Sequence, residues 1–195
     1  MKRVSKKEKR INEEVKSLSF SYNFLLIATI IFFTSLSSFT FYVFDMRFSY
    51  NVFILPFIFF LVDVILKEVG LNEAIKSVAI STVFYLLFTY FIDAIFGVDT
   101  SILKYLGVTF AFLISNIVNL MIYYFMLDNF KTPFFFVLIN LVFSCLIYNM
   151  FYFLFALRFN FSDTFWTSYF IIAFIQFLLS AICTILLSFV KQGVD

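Results

Sequence analysis

Apolar residues fill six long runs of the chain, and short segments that carry charges and turn-forming residues separate them. A helix needs about 20 residues to cross roughly 30 Å of hydrocarbon. Five of the runs meet that length and predict transmembrane helices. The second reaches it only if the polar residues at its ends are included. The runs are residues 20–44, 52–66, 77–96, 106–127, 134–157 and 166–190.

Polar residues recur at steps of three and four inside these runs, so each set lies on one face of its predicted helix. Small and hydroxyl residues such as Ser77, Ser81 and Ser144 are explained by close packing of helices. Side-chain amides are harder to explain in this way, because each has two donors and an acceptor that need partners at membrane depth. The sequence therefore predicts that these amides, with a nearby tyrosine, line a site for a neutral, planar ligand; they are Asn116, Asn119, Tyr148, Asn149 and Gln176.

Asp63 is a carboxylate within the second apolar run. A charge near the centre of a membrane helix costs roughly 2.5–3.5 kcal/mol on insertion scales, so such residues are usually paired or functional. Lys67 follows one helical turn later and offers an ion pair. Two interpretations stay open for Asp63, a pair with Lys67 or contact with a ligand or proton. Pro56 is expected to kink this helix, and Gly70 is expected to end it.

Composition supports a membrane location. The 195 residues are 63% hydrophobic and 13% charged, with a mean hydropathy of +1.02. A soluble domain of this size has no interior large enough for 34 phenylalanines and 11 tyrosines. The predicted fold class is therefore all-α, a polytopic membrane protein with a bundle of six transmembrane helices. Residues 1–19 form a basic cytoplasmic N-terminal tail, and residues 20–195 form the transmembrane domain.

Basic residues are distributed unevenly, with seven of the fourteen in the first sixteen positions. If the N-terminus is cytoplasmic, eleven lysines and arginines fall on the inner side and three on the outer side. Because basic loops stay in the cytoplasm, the predicted topology places both termini there. The predicted location is the bacterial inner membrane, with membrane lipids as partners and a homo-oligomer as a possibility.

The chain offers little for enzyme chemistry. It has no histidine, no Cys-x-x-Cys spacing and no glycine-rich phosphate loop. Cys145 and Cys183 lie inside apolar runs and are interpreted as small buried residues. We therefore expect no catalysis, no metal, no cofactor and no nucleic-acid partner.

The second run resembles the VUT family of bacterial membrane proteins, also called queuosine precursor transporters. The resemblance rests on Pro56-Phe57-x-Phe59-x3-Asp63-x6-Gly70, followed by Ala74 and Lys76. Weaker similarities follow in chain order, namely Thr34-Ser-Leu-Ser-Ser38 in the first helix, Ser115-Asn116-Ile-Val-Asn119-x3-Tyr123 in the fourth and Ser144-Cys145-Leu-Ile-Tyr148 in the fifth. The similarity covers residues 25–190.

The resemblance implies a six-helix importer of 7-deazaguanine bases such as 7-cyano-7-deazaguanine, with Asp63 as its most secure charged residue. The chain departs from the family where Asn119 and Tyr148 replace expected acids, where Cys145 replaces an amide and where Gln176 replaces a basic residue. Lys67 stands where many members have an acid. The loss of two acids matters because a carboxylate is the natural partner of a guanine-type edge.

Three functions are carried forward. The first is import of a small planar solute by alternating access, with the substrate bound by Asp63 and the amide and tyrosine residues named above. The second is the substrate-binding subunit of an energy-coupling-factor vitamin transporter. Ala28 is the only alanine of the first helix, and the absence of a second alanine there counts against this function. The third is a structural membrane protein with a solid, dry bundle.

Overall fold

The computed structural model describes residues 6–43, 46–97, 102–129, 134–156 and 163–190. Within these ranges the chain forms six α-helices, a short β-hairpin and one turn of 3-10 helix. The helices are α1 (Lys6–Leu36), α2 (Leu55–Glu68), α3 (Leu71–Ile95), α4 (Ile102–Asn129), α5 (Phe134–Ala156) and α6 (Asp163–Phe189); the strands are β1 (Thr40–Val43) and β2 (Met46–Ser49).

All six predicted spans are present. Each helix is long and apolar enough to cross a membrane, the second together with the 3-10 turn at Tyr50–Phe53. The second span covers Tyr50–Glu68, so polar residues at both of its ends are included, as its length required. The all-α, six-helix prediction is confirmed, and the chain has the architecture of a multi-pass membrane protein.

The predicted first helix, which ran to residue 44, is too long at its C-terminal end. The helix ends at Leu36, where the Ser37 hydroxyl donates to the Thr34 carbonyl at 2.6 Å and the Ser37 amide donates to the same oxygen at 3.1 Å. These bonds satisfy the Thr34 carbonyl, which a continuing helix would have used. Apolar character alone therefore overestimated the helix, because the following residues are equally apolar.

Residues after that turn form a β-hairpin instead. Thr40–Val43 pairs antiparallel with Met46–Ser49, with Thr40 opposite Ser49 and Val43 opposite Met46. Aromatic and β-branched residues favour strands. Phe48 packs in a small core with Val52 and Ile172, which fixes the hairpin to the bundle. We call this end of the bundle the hairpin end and the opposite end the terminal end. Phe44, where the predicted first run ends, and Asp45, which begins the predicted break, are outside the described residues.

α2 is the central helix of the bundle and has packing contacts with the other five. It has only 14 residues, and 67% of its span is buried, against 17% of the α3 span. Pro56 lies in the first turn of the helix. The backbone N–H that a proline lacks would have no partner within the helix there, so the predicted kink is wrong. Gly70 follows the helix with a φ of 106°, a conformation that favours glycine, so the predicted stop is confirmed.

The predicted basic tail joins the first span without a break, because α1 begins at Lys6. Residues 1–5 of that tail and residues 191–195 lie outside the described part of the chain. Cys145 and Cys183 are free and buried, as predicted.

Candidate functional site

A cavity of about 320 Å³ lies at the hairpin end, between the parts of α1, α3 and α4 that are nearest to the hairpin. It is only partly enclosed, and its rim includes the exposed ring of Phe96 at the end of α3. Hydroxyl groups, an amide, two charged groups and aromatic rings share its wall. The lining residues are Phe33, Thr34, Ser37, Ser38, Thr40, Asn51, Tyr85, Thr89, Asp93, Phe96, Lys104, Tyr105, Val108 and Tyr152.

α3 supplies one polar wall of this cavity. Tyr85, Thr89 and Asp93 are four residues apart, so they project from one face of the helix into the cavity. The same stripe continues toward the terminal end as Ser77 and Ser81, which are buried against neighbouring helices. The stripe thus has a packed half and a cavity half, and Asp93 lies at the cavity rather than at a fully solvated helix end.

The floor of the cavity is aromatic. Tyr85 stacks on Phe112 with ring centroids 4.4 Å apart and planes 17° apart. Tyr148 stacks on Tyr152 at 5.7 Å and 22°. The hydroxyls of Tyr85 and Tyr148 are 2.9 Å apart and share a hydrogen bond. Stacking and this hydrogen bond restrict the orientations of the four rings.

A second polar cluster lies below that floor and is completely buried. The Asn119 amide donates to Asp63 Oδ1 at 2.6 Å. The carbonyl oxygen of the same side chain accepts from Asn140 Nδ2 at 2.9 Å and from the Ser144 hydroxyl at 3.1 Å. We call Asp63, Asn119, Asn140 and Ser144 the core network. It joins α2, α4 and α5 at a point where none of these side chains is exposed.

Lys67 takes no part in this network. Its ammonium group donates to the Leu187 carbonyl at 3.1 Å, and the ion pair found among the described residues is Lys76 with Glu73. The open alternative of an Asp63–Lys67 pair is therefore not made in the structure, because Lys67 extends away to cap the last turn of α6.

The other predicted site residues are separated from the core network. Asn149 donates to Gln176 Oε1 at 2.6 Å, and Gln176 donates to the Val52 carbonyl at 3.4 Å, which ties α5 and α6 to the 3-10 turn. Asn116 donates to the Phe112 carbonyl of its own helix at 2.8 Å. Each of these amides finds at least one protein partner at depth, as a buried amide requires.

The structure thus distributes the six predicted residues over several places and brings two pairs of them into direct contact, Asp63 with Asn119 and Asn149 with Gln176. None of the six lines the cavity, and Tyr148 lies next to it through its bond to Tyr85 and its ring contacts with Tyr152 and Phe33. Their assignment to a substrate remains a prediction. Sequence reasoning missed Asp93, Lys104 and Tyr105 as cavity residues. The repeated four-residue spacing on α3 was the available signal for Asp93.

The terminal end of the bundle is closed by polar contacts. Tyr22 on α1 donates a hydrogen bond to Glu68 at the end of α2. Ser19 donates to Glu73 at the start of α3 at 2.9 Å. With the Lys67–Leu187 bond, these contacts join α1, α2, α3 and α6 at one level. The two ends of the bundle are therefore unlike, one with a polar cavity and the other with cross-linked helices.

Comparison with known proteins adds no relative. No protein-family model, no curated protein and no solved structure matches this chain.

Proposed function

We propose that this protein is a membrane transporter that binds a small planar solute in the cavity at the hairpin end and moves it by alternating access. The observation that carries the proposal is the cavity itself, with its polar and aromatic lining inside an otherwise apolar bundle. Polar groups at membrane depth are costly, so a cavity lined by them is typical of a binding site or a solute path.

The size and the chemistry of the cavity favour a ring compound. A volume of about 320 Å³ is at the small end of the range for ligand pockets, roughly 300–1,000 Å³. Tyr85, Tyr105 and Tyr152 offer faces for stacking. Asp93, Asn51 and Lys104 offer acceptors and donors for the edge of such a ring.

The difference between the two ends supports alternating access. In that mechanism a central site is open to one side of the membrane at a time. The cavity rim lies at the hairpin end, while Tyr22–Glu68 and Ser19–Glu73 link helices at the terminal end. This arrangement is the one expected of a state open at the hairpin end. The proposed topology places that end outside the cytoplasm and both termini inside, in a bacterial inner membrane.

The proposed substrate class is a 7-deazaguanine base, as the VUT resemblance implies. This chain lacks two acids that the resemblance leads one to expect on the fourth and fifth helices, and it has Asn119 and Tyr148 in their places. Asp93 supplies a carboxylate from another helix, and a carboxylate is the group that best accepts from the N1–H and amino edge of a guanine-type ring. The tyrosines beside it would stack on the ring, and the transport step requires no chemistry.

The experiment is uptake of 7-cyano-7-deazaguanine, measured as queuosine in tRNA in cells that lack their own transporter and precursor synthesis. We expect the intact chain to restore queuosine and Asp93→Asn to lower it at least tenfold at equal membrane levels. Asp63→Asn is measured beside it. An intact chain that inserts but restores nothing, and whose purified form binds no deazapurine, would overturn the substrate class.

A second candidate has one observation in its favour. An apolar groove of about 520 Å³ runs between α1 and α2 on the outside of the bundle, and Ala28 and Thr29 are among its lining residues. Substrate-binding subunits of energy-coupling-factor transporters use small residues of the first helix to dock their scaffold. Co-purification with an ATPase module would favour this alternative. The structural-protein alternative predicted a solid, dry bundle and gains no support from the polar cavity.

A further inference from the structure

The Asp63 side chain has no exposed surface, and among the described residues no cationic side chain forms an ion pair with it. Asn119 donates to Oδ1, but Oδ2 has no hydrogen-bond partner among the described residues. An ionised carboxylate in this position would be a buried charge whose compensating groups among the described residues are the neutral amides of Asn119 and Asn140. Such a charge is much more costly than a buried neutral group, so a compensating positive charge is required.

Two further oxygen atoms near Asp63 share this feature. Asn140 uses its Nδ2 to donate to Asn119, and its Oδ1 has no partner in the part of the chain that the structure describes. Tyr123 lies one turn beyond Asn119 on α4, is completely buried, and its hydroxyl also has no described partner. Buried oxygens are rarely left in this state, so Asp63 Oδ2 and the two oxygens near it indicate a bound group that they contact.

We propose that Asp63, with the Asn140 carbonyl and the Tyr123 hydroxyl, forms a binding site for a monovalent cation, a proton or Na⁺. A proton on Asp63 Oδ2 would give that oxygen a donor for the unused acceptor of Asn140. A sodium ion would be held by the same oxygens, since hard cations prefer carboxylate and carbonyl ligands. No group of three or more histidine, cysteine or acidic side chains is found in the described ranges, so this single-carboxylate donor set suits one positive charge.

A small cavity at the terminal end reaches one of the proposed ligands, Tyr123. A cavity of about 60 Å³ is lined by Lys67, Tyr123, Thr184 and Ser188, among others. Its volume corresponds to about two water molecules, each of which takes roughly 30 Å³ in the liquid. Tyr123 belongs both to this cavity and to the surroundings of Asp63. A cation that enters at the terminal end would therefore meet Tyr123 before Asp63.

In any pH experiment, the titration of Asp63 must be distinguished from the titration of other groups near it. Tyr123 on α4 and Cys183 on α6 are within electrostatic range of the carboxylate. Lys67 lies one turn away on α2 and faces the small cavity. Tyr123→Phe, Cys183→Ala and Lys67→Met therefore accompany Asp63→Asn as separate variants.

The experiment measures thermal unfolding of the full chain in detergent, with NaCl exchanged for KCl at constant ionic strength and at several pH values. For Na⁺, we expect a saturable rise in Tm of roughly 5 °C at one hundred times Kd, and none with K⁺. For a proton, Na⁺ has no effect and an infrared carboxylic-acid band is present in the intact chain and absent in Asp63→Asn. Because a proton bound in the folded state is released on unfolding, Tm then falls as pH rises.

The proposal is overturned if Na⁺ leaves Tm unchanged and the intact chain has no carboxylic-acid band at neutral pH, or if either signal survives in Asp63→Asn. If Asp63→Asn does not fold, Tyr123→Phe takes its place, because it removes one proposed ligand and keeps the ring. It must weaken Na⁺ affinity at least threefold or shift the band, and an unchanged signal rejects the site. Cation binding is measured without substrate, so its failure and a failure of transport are distinguishable; only the use of the cation to drive transport rests on the proposed function.

Discussion

Two aspartates lie inside membrane spans of this protein, and they occupy opposite environments. Asp63 is fully buried in the core network between α2, α4 and α5. Asp93 is half-buried and lines the cavity at the hairpin end, within electrostatic range of Tyr85 and Tyr152. Contact of Asp63 with a ligand or a proton was one of two open interpretations, and its assignment to the substrate followed from the resemblance of the second run to the VUT family. The comparison shows that a charged residue deep in an apolar run is expected to be buried. Its position in the run does not show whether a solute can reach it.

The difference follows from the packing of the helices that carry the two residues. α2 is surrounded by the other helices, so a polar side chain on almost any of its faces meets protein. α3 lies at the edge of the bundle, with most of its surface exposed, and only one face meets its neighbours. Near the hairpin end that face borders the cavity. A carboxylate on α3 can therefore reach a solute, while one on α2 reaches only helix partners and whatever small ion is bound there.

The largest expected effect is on the core network. Asn119→Leu removes the donor to Asp63 Oδ1 and to the Phe59 carbonyl and the acceptor of Asn140 and Ser144, so four hydrogen bonds are lost. We expect the free energy of unfolding in detergent to fall by roughly 2–4 kcal/mol. Asn116→Leu is the matched control, because Asn116 is equally buried and its amide donates to the Phe112 carbonyl of its own helix. It should cost less than about 1 kcal/mol. Equal losses would show that the network has no special role.

A smaller effect is expected where the cavity meets the core. Tyr148→Phe removes the bond to the Tyr85 hydroxyl and keeps the ring that stacks on Tyr152. Tyr85 lines the cavity, where water can replace the lost partner. We therefore expect a loss of only about 1 kcal/mol in the free energy of unfolding. Tyr90→Phe, at an exposed ring on α3, is the control and should have no measurable effect. A loss as large as that of Asn119→Leu would mean that the floor is a sealed part of the core.

The smallest effect on stability is expected at the cavity wall. Lys104→Met should change the free energy of unfolding by less than about 0.5 kcal/mol, because Lys104 is half-buried at the cavity and outside the core network. Binding of the solute, measured by titration calorimetry with 7-cyano-7-deazaguanine, should weaken about tenfold. Lys76→Met makes the same chemical change at an exposed position of the terminal end and should leave binding unchanged. If both variants weaken binding equally, the cavity is not the binding site.

The number and positions of the spans could be predicted from the sequence because the membrane imposes one requirement on every segment. Each crossing helix satisfies its own backbone hydrogen bonds and needs about 20 apolar residues, so local composition decides whether it forms. The same reasoning overextended α1, since Thr40–Val43 is apolar and yet forms a strand. The pairing of that strand with Met46–Ser49 depends on a partner that composition does not reveal.

The candidate site was less predictable. The four-residue spacing of Tyr85, Thr89 and Asp93 showed that they share a helix face, but not that this face borders a cavity while Ser77 and Ser81 on the same stripe are packed. The amides were correctly seen to need partners at depth. Which partners they found could not be inferred, because Asn149 and Gln176 meet across α5 and α6, and Asn119 meets Asp63 from a helix far away in the chain.

The sequence by itself determined that this chain crosses a membrane six times, that the second helix ends just before Gly70, and that several polar side chains must find partners away from water. Only the tertiary structure decided which of those side chains meet one another and which meet a cavity. The physical reason is the distance along the chain over which each interaction acts. Hydrophobicity and backbone hydrogen bonding act within one segment, whereas the pairing of Asp63 with Asn119 and the position of Asp93 at the cavity depend on how separate helices pack.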